Sequence, residues 1–127
     1  MRLAIDTNRY TDLQRGDAAV VHALTHAVAL FVPLIVLAEL RAGFLGGTRA
    51  DENERVLSAF LGQAGVGILV PDEATTHHYA RLVNQLRRQA TPIPTNDLWI
   101  AALALQHNLT LYTRDAHFAR IPQLHLL

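Results

Sequence analysis

The chain has 127 residues, half of them hydrophobic, with no cysteine, and its eleven arginines balance eleven acids without a single lysine. That length supports one core and not two, the apolar content excludes disorder as the dominant state, and the missing cysteine excludes disulfides, thiolate metal sites and a cysteine nucleophile. Zero formal charge argues against nucleic-acid binding by bulk charge, and the missing amine removes Walker-type NTPases, receiver domains, haloacid-dehalogenase-type phosphatases and Schiff-base enzymes.

Leu3-Ala4-Ile5 is a short apolar run that stops at Asp6-Thr7-Asn8, residues suited to turns and caps, so it predicts a buried strand running into a helix. Helical spacing of Val20, Val21, Leu24 and Val28 extends from Asp17 to about Ala29, before a second strand at Leu30-Phe31-Val32. Pro33 is tolerated in a first turn and opens the next helix, which ends near Phe44 before Gly46-Gly47. Asp51 to about Gln63 buries Val56, Leu57, Phe60 and Leu61 on one face. Val66 to Val70 is a third strand, and Pro71-Asp72 introduces a long helix to about Gln89. The Thr91-Pro92-Ile93-Pro94 break cannot continue a helix, and Thr95 or Asn96 is a suitable cap for the next, which reaches His107 with Asn108 at its C-cap. Leu109 to Thr113 is a fourth strand, Arg114-Asp115 a turn, and Leu124 to Leu127 a short edge strand.

Strands alternating with helices predict a three-layer α/β/α sandwich around a mostly parallel sheet of four to five strands, formed by one domain spanning residues 1–127. The longest apolar run, Ala27 to Ala38, carries Pro33 and is too short to cross a bilayer, and the N-terminal residues make no signal peptide. A cytoplasmic location is the expectation.

In such sheets the ligand crevice opens at the carboxyl ends of the strands. Asp6 ends the first strand and Asp115 follows the fourth, so both project into one crevice if those strands are neighbours. Asp97 falls in a first helical turn, and Glu39 interrupts the apolar Val36-Leu37-Ala38-Glu39-Leu40. Converging carboxylates repel one another without a cation, and oxygen ligation suits Mg²⁺ or Mn²⁺ better than Zn²⁺. Each acid also has an ordinary structural use. Asp6 can cap a helix, Asp97 can complement a helix dipole, Asp115 can make a turn, and Glu39 can pair with Arg41.

Taken together, Asp6-Thr7-Asn8, Glu39, Asn96-Asp97-Leu98-Trp99-Ile100-Ala101-Ala102 and Thr113-Arg114-Asp115-Ala116-His117-Phe118 resemble the PIN-domain ribonucleases over essentially the whole chain. Within that family the chain looks like the VapC toxins of bacterial toxin–antitoxin pairs. The resemblance implies RNA cleavage dependent on Mg²⁺ or Mn²⁺ at a quartet of Asp6, Glu39, Asp97 and Asp115, with Asp6, Asp97 and Asp115 as metal ligands. It implies supporting polar roles for Asn8, Asn96 and Thr113, a homodimer, and a VapB-like antitoxin as partner. Some relatives carry a further acid two residues after the fourth, where this chain has His117, which leaves open whether one or two metals bind.

Arg9, Arg114 and the Arg87-Arg88 pair are candidate phosphate contacts, and His117 a candidate for contact with substrate or for proton transfer. Solvated charge is the competing reading for Arg114 and for the Arg87-Arg88 pair, and a structural role for His117. Trp99 suits base stacking, a core or a dimer interface. Two other functions remain compatible with the same acids: an inactive PIN-like RNA- or protein-binding module, and a Mg²⁺-dependent phosphatase or DNA nuclease.

Overall fold

A computed structural model describes residues 1–127. Four short strands, β1 (Arg2–Ile5), β2 (Ala29–Pro33), β3 (Val66–Leu69) and β4 (Thr110–Tyr112), form one sheet in the order β3-β2-β1-β4. Every pairing is parallel, with Leu3 in register with Leu30 on one side and Thr110 on the other. β1 lies inside the sheet, and Leu3, Ala4 and Ile5 are at most 1% exposed. A strand paired on both edges and covered on both faces needs that continuous apolar run.

Six α-helices flank the sheet: α1 (Thr7–Gln14), α2 (Ala18–Thr25), α3 (Leu34–Leu45), α4 (Ala50–Leu61), α5 (Glu73–Arg88) and α6 (Thr95–Gln106). A 3₁₀ helix, Ala116–Arg120, follows β4. The alternation expected of a PIN-like α/β fold is present, with four strands. α6 is the most deeply set helix. Ile100 to Ala104 are fully buried, which anchors the first turn bearing Asp97. The core joins these residues to Tyr10, Leu37, Leu57, Leu82, Leu111 and Phe118. Truncating a fully buried leucine such as Leu103 in such a core costs about 2–5 kcal/mol.

Four local expectations are corrected. α2 stops at Thr25 instead of reaching Ala29, because Ala29 is drawn into β2 opposite Arg2 and Val28 N–H donates to the Met1 carbonyl at 2.9 Å. Leu124–Leu127 is not a strand. It touches the edge of β4 through one parallel bridge, Leu111 to Leu126, held by bonds of 2.8 and 3.0 Å. Neither Thr95 nor Asn96 caps α6. Extended Pro94 holds that position, which puts Asn96 inside the helix and leaves its amide to reach elsewhere. Asn108 follows the C-cap residue His107 and takes a left-handed φ of 53°, a conformation asparagine tolerates.

Candidate active site

β1 and β4 are neighbours, and Asp6 N–H still donates to the Tyr112 carbonyl at 3.0 Å, so the last backbone bond of that pairing fixes Asp6 beside Thr113. The Asp6 carboxylate then serves two purposes. Oδ1 accepts from Thr7 N–H at 2.8 Å and caps α1, while Oδ2 accepts from the Thr113 hydroxyl at 2.7 Å and from the Asn8 amide at 3.1 Å. Capping and membership of an acidic cluster coexist in one side chain.

Thr113 is 8% exposed and links two acids. Its hydroxyl donates to Asp6 and accepts from Asp115 N–H at 3.0 Å. Asn8 spans the same gap, its Oδ1 accepting from Arg114 N–H at 3.2 Å. The end of β1 and the turn after β4 are therefore tied by side chains where the backbone ladder has ended.

Glu39 reaches this group from α3. Its Oε1 accepts from the Thr7 hydroxyl at 2.8 Å, and its Oε2 from the Asn96 amide at 3.5 Å. Arg41 is not its partner, because that guanidinium bonds Glu54 at 2.7 Å. Asp97, 9% exposed, arrives from the first turn of α6. Its Oδ2 lies 3.0 Å from His117 Nδ1, which is also 3.1 Å from Asp115 Oδ1. Asp115 caps the 3₁₀ helix through His117 N–H at 2.9 Å, and that short helix is what turns the imidazole inward.

All four acids thus share one crevice, with Asn8, Asn96, Thr113 and His117 among them. Burial raises the Asp6 carboxyl above the ordinary aspartate range; the bonds from Thr113 and Thr7 oppose this, and the charges of Glu39 and Asp115 reinforce it. Burial likewise raises Asp97, against the pull of His117 and with the added repulsion of Asp115 and Asp6. Burial is the leading cause in both, and repulsion between neighbouring acids adds to it. Donor atoms of Asp97, Asp115 and His117 lie within 4.8 Å of one another, a spacing that one ion can bridge.

Arg9 and Arg114 stand at the rim rather than among the acids. Both bond Asp12, a residue the sequence reading passed over. Arg114 donates to its two oxygens at 3.0 and 3.2 Å, and Arg9 to one at 3.4 Å. The i,i+3 spacing of Arg9 and Asp12 on α1 was a signal within reach of the sequence; the pairing to Arg114 was not. Trp99 stacks on Tyr79 with centroids 4.3 Å apart, so one face of its ring is already occupied.

The PIN-domain family model matches residues 3–124. Over 96 residues the chain is 33% identical to Ribonuclease VapC4 of Mycobacterium tuberculosis, covering 76% of this chain and 74% of that protein. It is 35% identical to Ribonuclease VapC1 of Haemophilus influenzae, covering 75% and 70%. Among solved structures, VapBC2 of Rickettsia felis bound to a promoter DNA fragment is similar with a TM-score of 0.87 at 28% identity, over 100% of this chain and 98% of that one. VapBC-1 of nontypeable H. influenzae gives the same TM-score and identity over 100% and 97%.

Proposed function

This chain belongs to the PIN-domain family, among its VapC members, and on that premise we propose that it is a divalent-metal-dependent ribonuclease acting as the toxin of a toxin–antitoxin pair. The observation that carries the reading is the convergence of Asp6, Glu39, Asp97 and Asp115 from four separate elements on one crevice.

The donor set fits a hard cation. Asp97, Asp115 and His117 place donor atoms within 4.8 Å of one another, and Asp6 is near enough to add to the repulsion that raises the Asp97 carboxyl, which a cation would relieve. Mg²⁺ or Mn²⁺ is the ion we propose, held by Asp6, Asp97 and Asp115. Once bound, such an ion supplies an activated water and a counter-charge for the scissile phosphate. The chain's own residues supply position. Thr113 and Asn8 fix the rotamer of Asp6, Thr7 and Asn96 aim Glu39, and His117 Nδ1 between Asp97 and Asp115 offers a place to hold a proton. Water, not the RNA 2′-hydroxyl, is the nucleophile in this reading, so the products carry 5′-phosphate and 3′-hydroxyl ends.

Incubating RNA, single-stranded DNA and a phosphate monoester side by side with Mn²⁺ tests it. Cleavage of RNA alone is the expected result. Turnover of the ester or of DNA in preference to RNA would support the phosphatase or DNA-nuclease reading, and RNA binding without cleavage the inactive module.

The relatives solved as VapBC complexes support a small antitoxin as the partner, and we propose the cytoplasm as the location of both. No helix is long and apolar enough to cross a membrane. A groove of about 650 Å³ lined by Leu13, Val21, Leu24, Val56 and Phe60 is the apolar surface we assign to the antitoxin. Expression of the chain alone should slow growth, and co-expression of the antitoxin should restore it. We further assign a second copy of the chain to the face of α3, where Leu34 is 42% exposed beside Ile35 and Trp99. Sedimentation at micromolar concentration should give the mass of two chains.

A further inference from the structure

The crevice is ringed by acids, yet the substrate proposed for it is a polyanion. Only the phosphate at the metal can be neutralised there. The neighbouring phosphates of the strand need cations outside the acidic cluster, close enough to be reached by the same chain and far enough not to collapse into it.

Arg9 and Arg114 have that placement. Arg114 immediately precedes Asp115, and its backbone N–H is held by Asn8. Its guanidinium does not turn in toward Asp115 or Asp6. It is held outside by Asp12 through two bonds of 3.0 and 3.2 Å, with its side chain 53% exposed. Arg9 sits over the Tyr112 ring, its Cζ 4.7 Å from the centroid, and shares Asp12 at 3.4 Å. Its Nε is buried with no hydrogen-bond partner. Asp12 itself is largely covered, with a side chain 13% exposed. Two guanidiniums around one carboxylate leave a net positive charge of one at the rim, fixed in direction by the shared anion.

We infer that Arg9 and Arg114 form a subsite for a backbone phosphate flanking the scissile one, and that Asp12 is a positioning residue that holds both guanidiniums out of the acidic crevice and toward the strand. The inference rests on the ribonuclease reading above and adds to it a site outside the quartet. It makes Asp12 behave against simple electrostatics. If Asp12 merely diluted positive charge, its removal would tighten RNA binding, because one negative charge is lost. If it positions the two arginines, its removal loosens binding even though the protein becomes more positive.

The experiment uses a single-stranded oligoribonucleotide labelled with fluorescein. Binding is read by anisotropy in EDTA across a salt series, and cleavage is read separately in Mn²⁺. Arg9→Gln and Arg114→Gln should each weaken binding roughly five- to tenfold and lower the salt slope by about 0.7, as the loss of one phosphate contact on a single strand requires. Asp12→Asn should raise KM roughly three- to tenfold with kcat little changed, and Asp12→Glu should recover most of it. Arg55→Gln, on an exposed part of α4, should change neither quantity. Melting curves identify any variant that fails to fold, and the two arginine variants then carry the test without Asp12→Asn. Tighter RNA binding by folded Asp12→Asn, or wild-type salt slopes in both arginine variants, would overturn the subsite while wild-type cleavage keeps the ribonuclease reading standing. Absence of cleavage by the wild type would overturn both.

Discussion

Asp97 stands in the first turn of α6 and Gln106 is its last residue, and the carboxylates met at these two ends live under opposite conditions. At the far end Asp72 caps α5, accepting from Gln106 Nε2 at 2.8 Å and from the Thr75 backbone and hydroxyl at 3.1 Å each. The Gln106 amide first, and then the Thr75 N–H, hold its carboxyl below the ordinary range. At the near end Asp97 and Asp6 are raised, with burial as the leading cause in both. Donor count does not separate them, since Asp6 and Asp72 each accept three hydrogen bonds. Solvation does: Asp72 is exposed, whereas Asp6 and Asp97 are buried beside other acids.

That contrast breaks most visibly in activity. Asp6→Asn and Asp97→Asn keep side-chain size but remove ligand charge, so RNA cleavage should fall by more than about 100-fold, while Asp72→Asn cleaves as the wild type does. Single-turnover rates on one labelled RNA, normalised to folded protein, make the comparison. Equal losses at the two ends would erase it.

The cation should divide the ends next. Saturating Mn²⁺ should raise the melting midpoint of the wild type and of Asp72→Asn, equivalent to about 2.7 kcal/mol at a hundredfold excess over Kd, but leave an Asp6→Asn, Asp97→Asn double variant unmoved. A smaller effect runs the other way. Asp72→Ala removes a cap and both of its partners, costing about 0.5–2 kcal/mol, with no change in the response to Mn²⁺.

The smallest expected effect is in pH. Because Asp6 and Asp97 are raised in the folded state, the metal-free native protein binds protons there more tightly than the unfolded chain. Those two sites therefore lose stability as pH rises from about 3.9 through their raised values, and recover it on acidification. Asp72 and Asp12 are lowered, so what they contribute is present above about 3.9 and lost below it. Melting midpoints in EDTA should thus improve on mild acidification and then fall. Asp6→Asn should flatten the first limb, and Asp72→Asn the second.

Three acids of the crevice stood out in the sequence because each interrupts an element that the apolar pattern already sets, and the quartet as a set rested on the family resemblance. Asp6 ends a buried run, Glu39 breaks an apolar helix, and Asp97 follows a proline break. What escaped depends on partners distant in the chain. The claim of Asp12 on Arg114 spans 102 residues and leaves no periodic trace. The inward turn of His117 depends on a 3₁₀ helix capped by Asp115, a residue that reads locally as an ordinary turn. The end of α2 was missed because apolar Val28 and Ala29 fit a helix face and a strand equally well until the sheet claims Ala29.

Whether the crevice acids gather around a divalent cation is decided by anomalous scattering from crystals grown with Mn²⁺. One strong peak is expected within ligand distance of the Asp97 and Asp115 carboxylates, and no such peak in Asp97→Asn crystals grown alongside. Wild-type crystals without a peak in the crevice, or with Mn²⁺ bound only elsewhere, would contradict it.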